Sequence, residues 1–466
     1  MTDRTSPDAE HRPPSRETRD THHDDSSSET ALPASADERF GDGPRPAIYE
    51  RIFPPGHIDE DAAKVLKRLH RAGHSAYLVG GGVRDLLLGR KPKDFDVATS
   101  ARPNDVKHVF RNCRIIGRRF RLAHILFAGG KIIETATFRR DPNSNEDDDN
   151  FSEIGDGETE GSTVIAPLMK ARDDDADLLI RHDNVFGEPH EDALRRDFTI
   201  NGLFYDVERG EVIDYVGGMA DLEQKSIRTI GLPDVRFRED PVRMLRAIKF
   251  SARLDLGIDP EVYDAIVAQR EELAKAAKAR VLEEILRLVR GGAAHRSIWL
   301  CWETGVLAVI LPELATFLDD GPRGAKTLWG RLDAVDAKVA SGVTPSDVVL
   351  LAALLLGPIH EALEGARDPL GAYEDFMVGL AESVAPPRRM KERMRAVIGC
   401  EQRLRRGRVG SLAHRDFFPE AAMLYELDCF ARGTAPMDLR TEIANAPPPD
   451  EMPRRRRRRR RGGFQG

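Results

Sequence analysis

LVGGGVRDLLLGRKPKDFDVATS, running from Leu78 to Ser100, decides how this chain is read. The apolar run AYLV, 76 to 79, predicts a buried strand that enters Gly80, Gly81 and Gly82, and VRDLLLG then predicts a brief helix closed by Gly89. Glycines between a strand and a helix let backbone N–H groups approach phosphate oxygens with no Cβ in the way, although a plain turn has the same look. No third glycine and no Walker lysine and serine follow at the spacings that would make a dinucleotide fingerprint or a P-loop. Asp94 and Asp96 narrow the choice. At i and i+2 of an extended segment their side chains leave one face, while Phe95 and Val97 point to the core. Adjacent carboxylates raise each other's pKa unless a cation sits between them. Magnesium, which takes carboxylates, waters and phosphate oxygens, resolves that conflict. Two such ions about 4 Å apart would activate a hydroxyl and stabilise a departing pyrophosphate; the alternative is a solvent-facing acidic edge.

Outward from this stretch the pattern is mixed. Ala62, Val65, Leu66 and Leu69 form a stripe between Asp59 and Gly73, predicting an amphipathic helix. FDVAT, 95 to 99, predicts a strand, Val106, Val109 and Phe110 mark a further helix, and HILFA and KIIETATF around Gly129-Gly130 predict a hairpin. The expected fold class is α+β: a mixed-sheet domain followed by an all-helical region from Pro241 to near Ala444. In the helix from Asp240 to Leu254 the apolar stripe of Met244, Leu245, Ile248 and Ala252 packs. Arg243, Arg246, Lys249 and Arg253 lie largely on another side, free to meet phosphate or a base.

The chain has 466 residues, 40% hydrophobic and only 6% aromatic, with frequent helix formers, which argues against a largely β protein. Its four cysteines form no CxxC pair, so no zinc ribbon or disulfide framework is implied. No signal peptide is apparent, and the longest apolar run, 348 to 357, is too short to span a bilayer. The expectation is a cytoplasmic protein with no membrane span.

The net charge of −7 hides its distribution: residues 1–44 carry −6 and residues 141–178 carry −11, which leaves +10 for the remainder. Eight of those positive charges are the run Arg454 to Arg461, in which Arg454, Arg455 and Arg456 come first. Such a run is expected to be a disordered tail that holds RNA or another polyanion by counterion release; a solvated tail that aids solubility is the other reading. The two acidic stretches read as disordered extensions.

A two-ion site usually wants a third carboxylate. Glu134, in KIIETATF, and Asp197, in LRRDFTING beside Arg195, Arg196 and Asn201, are both candidates, and either could be an ordinary ion-pair partner.

LVGGGVRDLLLG, KDFDVATSA, RRDFTING and REDPVRMLRAIKFSARL, in this order, resemble the class II nucleotidyltransferases, the bacterial poly(A) polymerases and CCA-adding enzymes with a DNA polymerase beta-like catalytic fold. The resemblance implies that Asp94 and Asp96 bind catalytic magnesium, with Asp197 a further active-site carboxylate placed ahead of Glu134. It assigns base recognition to Glu239, Asp240 and Arg243. Arg243 donates and Asp240 accepts, so the pair can imitate the edge of a complementary base, although by residue pattern alone a helix cap with one turn of ion pairing is the favoured reading. Gly81 and Gly82 would approach the triphosphate, with Arg84 a phosphate contact.

FRNCRIIGRRFRLAHILF, 110 to 127, RHDNVFG, 181 to 187, and the basic tail look like the poly(A) polymerase branch, with Arg118, Arg119 and Arg121 putting positive charge near the RNA substrate; by residue type alone they read equally as surface charges. The acidic segment 141–178 is longer than the family usually carries there. The expected organisation is an extension (1–47), a catalytic head (48–205), a nucleotide-recognition neck (206–265), an RNA-binding helical domain (266–444) and an Arg-rich tail (445–466). The expected reaction is template-independent addition of AMP from ATP to RNA 3′ ends with magnesium as cofactor, in RNA processing and turnover, where protein partners are also conceivable. CCA addition to tRNA is the alternative activity. A non-catalytic RNA binder on a decayed polymerase is disfavoured by the retention of both Asp94 and Asp96. A metal phosphohydrolase suggested by His182-Asp183 is rejected, because no matching helical His and Asp set accompanies it.

Overall fold

The computed structural model describes residues 43–117, 121–140 and 185–444. Strand β1 (Ala47–Glu50) precedes helix α1 (Glu60–Arg71), whose first turn is capped by the Asp59 carboxylate accepting from the Asp61 and Ala62 amides. The stripe read from the sequence, Ala62, Val65, Leu66 and Leu69, is its buried face. There follow β2 (Ala76–Val79), α2 (Gly81–Leu87), β3 (Asp96–Thr99), α3 (Pro103–Val109), β4 (Cys113–Ile116), β5 (Leu122–Leu126) and β6 (Ile132–Thr137). Beyond the undescribed segment come α4 (Pro189–Leu194), β7 (Leu203–Asp206) and β8 (Glu211–Asp214).

These strands make one eight-stranded sheet in the order β1-β8-β7-β2-β3-β6-β5-β4. Only β3 and β6 pair in parallel; every other neighbouring pair is antiparallel. Thus β1 and β8, whose short runs carry little alternation, extend the sheet on the side away from the hairpin. Helices α1 and α3 cover one face, where Val65, Leu66, Leu69, Val106 and Phe110 join Leu78, Val97, Ile125 and Ile133. The other face carries a smaller aromatic cluster in which Phe204 meets Tyr77 and Phe138 edge-on at 6.1 and 6.2 Å. Asp96 stands on this second face, one register step from Ala98.

The chain on either side of residues 141–184 is brought together: Arg139 bridges Phe186, and the Gly187 amide donates to the Phe138 carbonyl. A long insertion between clamped ends costs little extra closure entropy, so the fold tolerates it. The acidic segment, His182-Asp183, Arg118, Arg119 and Arg454 to Arg461 lie outside the described residues.

After the sheet come α5 (Gly218–Glu223), β9 (Ser226–Ile227), α6 (Pro233–Glu239), α7 (Val242–Leu254), β10 (Gly257–Ile258), α8 (Pro260–Gln269) and α9 (Lys278–Arg290). Helix α7 is the bridge. Its Phe250 meets Phe198 edge-on at 5.7 Å, and its C-terminal carbonyls, Arg253 and Leu254, accept from the Arg90 guanidinium just past α2. The helical region continues from α10 (Ala294–Glu303) to α18 (Leu439–Ala444). At its centre α14 (Asp347–Leu363) buries Val349 through Leu356 without a break, as the apolar run at 348 to 357 required. The Arg331 guanidinium of α13 (Pro322–Ala340), fully buried, donates to Asp428 at 3.0 Å and to the Ala353 carbonyl at 3.1 Å. All four cysteines are buried and free. Among the described residues no helix is long and apolar enough to cross a membrane.

Candidate active site

A cleft of about 810 Å³ opens where β2, β3, α7 and α9 converge. Its floor is the glycine turn. Gly80 adopts φ 68° at the end of β2, a backbone state that favours glycine. A Cβ on Gly82 would press within 3.2 Å of the Asp94 carbonyl, so the third glycine lets the Asp94–Phe95 backbone pack directly on α2. The consequence is that the turn and the acidic strand sit side by side.

On the sheet wall Asp94 and Asp96 are exposed while Val97 is buried. Asp96 opens onto the cleft with protein on its other sides. That burial, then the neighbouring charge of Glu134, push its carboxyl up to about 6, with Asp94 adding to the rise and Arg196 opposing it. The register explains why Glu134 acts so strongly: Val97 pairs Thr135, so the preceding residues Asp96 and Glu134 are neighbours on the parallel strands β3 and β6. Far from being a charge stranded on an apolar strand, Glu134 is exposed on the same open face, with His124 directly opposite and its Nε2 3.5 Å from the carboxylate. Among the described residues no three His, Cys, Asp or Glu side chains close into a ready-made metal cage.

The other wall is built from α6, α7 and α9, and its carboxylates are all partnered. Asp197 accepts from Arg246 Nε at 2.6 Å, from Asn201 Nδ2 at 3.1 Å and from the Phe198 amide. It is largely buried, which alone would raise its pKa, but the Arg246 charge and these bonds outweigh that and hold it at about 2. Glu239 accepts from Arg236 and Arg243, each at 2.8 Å, and Arg243 also donates to the Arg236 carbonyl. Asp240, where α6 ends, accepts from Arg280 of α9 at 2.9 Å. Arg84 is buried behind the glycine turn, bonded to Asp85 and Asn201 and lying 4.9 Å from the centre of the Phe250 ring.

The structure therefore brings Gly81, Arg84, Asp96, Asp197, Asp240 and Arg243 to one cleft, with Gly82 behind its floor, Asp94 and Glu134 beside Asp96, and Glu239 holding Arg243. Arg121 is exposed with φ 37°, at the start of β5. Residues that sequence reading did not single out are Arg280, Glu283, Glu284 and Arg287, all on α9. Their i, i+3, i+4 and i+7 spacing marks one polar face of that helix, which was the available signal. There Lys249 reaches Glu284 at 2.7 Å and Arg287 reaches the same residue at 2.8 Å, joining α7 to α9.

Residues 76–228 match the poly A polymerase head domain family, and residues 255–318 match a family described as a probable RNA and SrmB-binding site of polymerase A. Poly(A) polymerase I of Salmonella typhimurium is 39% identical over 360 residues, covering 75% of this chain and 73% of the relative. A CCA-adding enzyme of Bacillus velezensis is 33% identical over 281 residues, covering 60% and 62%. The Bacillus stearothermophilus CCA-adding enzyme in complex with CTP shares the fold, with a TM-score of 0.59 at 24% identity over 84% of this chain and 82% of that one.

Proposed function

The chain belongs to the bacterial poly(A) polymerase and CCA-adding enzyme family of nucleotidyltransferases, and from that premise we propose that it adds AMP from ATP to RNA 3′ ends without a template. The observation that carries this reading is the opposition across one cleft of a carboxylate edge, Asp94, Asp96 and Glu134, with which no lysine or arginine among the described residues pairs, and a rigid reader, Arg243 and Asp240.

The base of the incoming nucleotide lies against the reader. Glu239 fixes the Arg243 guanidinium and Arg280 fixes the Asp240 carboxylate, so donor and acceptor keep a set spacing and orientation suited to one base edge. The triphosphate then runs over Gly81, which lines the cleft, while Gly82 is buried beneath it against the Asp94 backbone and, contrary to expectation, does not reach the phosphates; the charge of Arg84 lies behind the turn. The acceptor hydroxyl must attack the α-phosphate opposite the leaving pyrophosphate. It therefore approaches from the β6 side, past Glu134.

Magnesium fits this edge, since the donors are all oxygen and Asp96 is held in a state that a cation would relieve; bound by Asp94 and Asp96 with Glu134 as third acid, it would lower the hydroxyl pKa and spread the developing charge. We prefer Glu134 to Asp197 here because Asp197 is already neutralised by Arg246 and positions that arginine instead. Arg118, Arg119, Arg121 and the run from Arg454 are proposed to hold the RNA backbone, and a cytoplasmic location is proposed with them, where ATP and RNA are both supplied.

The test is incubation of the purified chain with an unrelated RNA and with a tRNA lacking its 3′ end, supplying ATP and CTP separately. Long ATP-dependent extension of both is expected. Addition that stops at CCA on the tRNA would assign the other activity of the family.

A further inference from the structure

All three tryptophans of the chain belong to α10 and α13. Trp299 and Trp302 are three residues apart on α10, and His295 is four residues before Trp299, so the three share one helix face. The Trp329 ring of α13 stacks on His295 at 5.1 Å and 9°, and lies 6.4 Å from the ring of Trp302. Trp299 and Trp302 are 40% and 39% exposed, large values for the residue type that a fold has most reason to bury. Nor are the rings loose. Trp302 Nε1 donates to Asp319 at 3.0 Å, and His295 Nδ1 is 2.6 Å from the Asp333 carboxylate.

A chain of ion pairs links the base of this helix to the cleft wall. Asp85, which holds Arg84, also faces Arg253 at 3.7 Å near the end of α7. Asp255 follows Arg253 and pairs with Arg296, which is on α10 one residue after His295. Arg253 and Arg296 on this chain, and Arg287 in the cleft wall, keep two fifths or more of their side chains in solvent.

We propose that Trp299, Trp302 and Trp329, with His295, form a stacking platform for unpaired bases of the RNA whose 3′ end occupies the cleft. The inference deepens the reading above and rests on RNA being the acceptor. Base faces stack on fixed aromatic rings whatever their sequence, as addition to varied 3′ ends requires. Asp319 and Asp333 at the ring edges disfavour phosphate there, so the backbone follows Arg253 and Arg296 while the bases turn onto the rings. From Arg246 to its end α7 runs roughly 12 Å at 1.5 Å per residue, which sets the platform several nucleotides back from the reacting end.

Because no tryptophan lies elsewhere, tryptophan emission excited at the long-wavelength edge, where the seven tyrosines do not absorb, reports this surface alone. Oligo(A) of twenty nucleotides is expected to quench it, and oligo(A) of four, long enough only for the cleft, to leave it nearly unchanged. The double variant Trp299→Ala with Trp302→Ala is expected to weaken binding of the twenty-mer by roughly 10- to 100-fold, while the KM for ATP and the rate of AMP addition to the four-mer stay as in the parent. Phe at both positions should hold affinity within about threefold and Leu at both should not, which separates stacking from apolar bulk and gives a second route if the alanine pair does not fold. No quenching by the twenty-mer, or unchanged affinity in a folded alanine pair, overturns the proposal and points to a protein partner for this face. A parent that binds with quenching but incorporates no AMP would retain the platform and remove the polymerase reading.

Discussion

Asp94, Asp96 and Glu134 on the sheet side of the cleft, and Asp197, Glu239 and Asp240 on the helix side, are the same two residue types in opposite surroundings. Among the described residues no lysine or arginine pairs with the first three, and Asp96 sits at about 6, while each of the second three accepts from an arginine and Asp197 sits at about 2. A carboxylate lacking a cation is poised for one that arrives with substrate. A carboxylate already holding a guanidinium instead sets where that guanidinium points. The difference comes from neighbours: the strands place acid beside acid, whereas α7 and α9 bring arginines to each acid on the other wall.

The sharpest way to break this contrast is on the sheet side. Asp96→Asn is expected to cut AMP incorporation by at least ~1,000-fold, since several kcal/mol of transition-state charge stabilisation is lost, while RNA binding by filter retention stays intact. The same change bears on stability. A carboxyl raised in the folded state contributes stability that is present at pH values below its ordinary pKa and lost as pH rises through about 6. Without divalent metal, the parent should therefore lose unfolding free energy across that window, and Asp96→Asn should flatten the loss in urea titrations run at pH 4 to 7. Retained turnover in the variant would remove the cation role altogether.

The helix side responds in the other direction. Arg246→Ala leaves the buried Asp197 charge unpaired and should cost about 3–5 kcal/mol in urea unfolding, far more than Glu134→Gln, which is expected to reduce turnover with little change in stability. Asp197 is depressed from 3.8 to about 2, so its contribution is fully present above its ordinary pKa and lost as pH falls through about 2. The loss, on the order of 2 kcal/mol, should vanish from the acid limb of the stability profile in Asp197→Asn. Equal stability costs for Arg246→Ala and Glu134→Gln would erase the distinction between the two walls.

The smallest effect is expected at the rim. Arg280 is more than half exposed, so Arg280→Ala should change stability by less than ~1 kcal/mol. Yet it frees the Asp240 carboxylate, and the ATP-to-CTP ratio of kcat/KM should fall by roughly tenfold, the share of one oriented hydrogen bond to a base edge. An unchanged ratio would place base selection in Arg243 alone.

Much of this was legible in the chain itself. The strand, glycine turn and acidic pair from Leu78 to Ser100, the stripe of α1, the hairpin around Gly129-Gly130 and the buried run of α14 depend on local periodicity and turn chemistry, and each stands where the pattern put it. Strands β1, β7 and β8 were harder, because four-residue strands whose identity comes from pairing with distant partners leave little signal of their own. The ranking of Asp197 over Glu134 rested on motif resemblance, and no local pattern could tell which would meet a guanidinium 49 residues away.

Residue order by itself determined which elements form and which side chains carry chemistry, because helix and strand periods, glycine turns and neighbouring acids act over a few residues. Tertiary structure alone decided how each charge is used. A carboxylate's state depends on burial and on charges within several ångströms, and here those are supplied by β6, α7 and α9, segments remote in the chain that meet only when the sheet and helices pack.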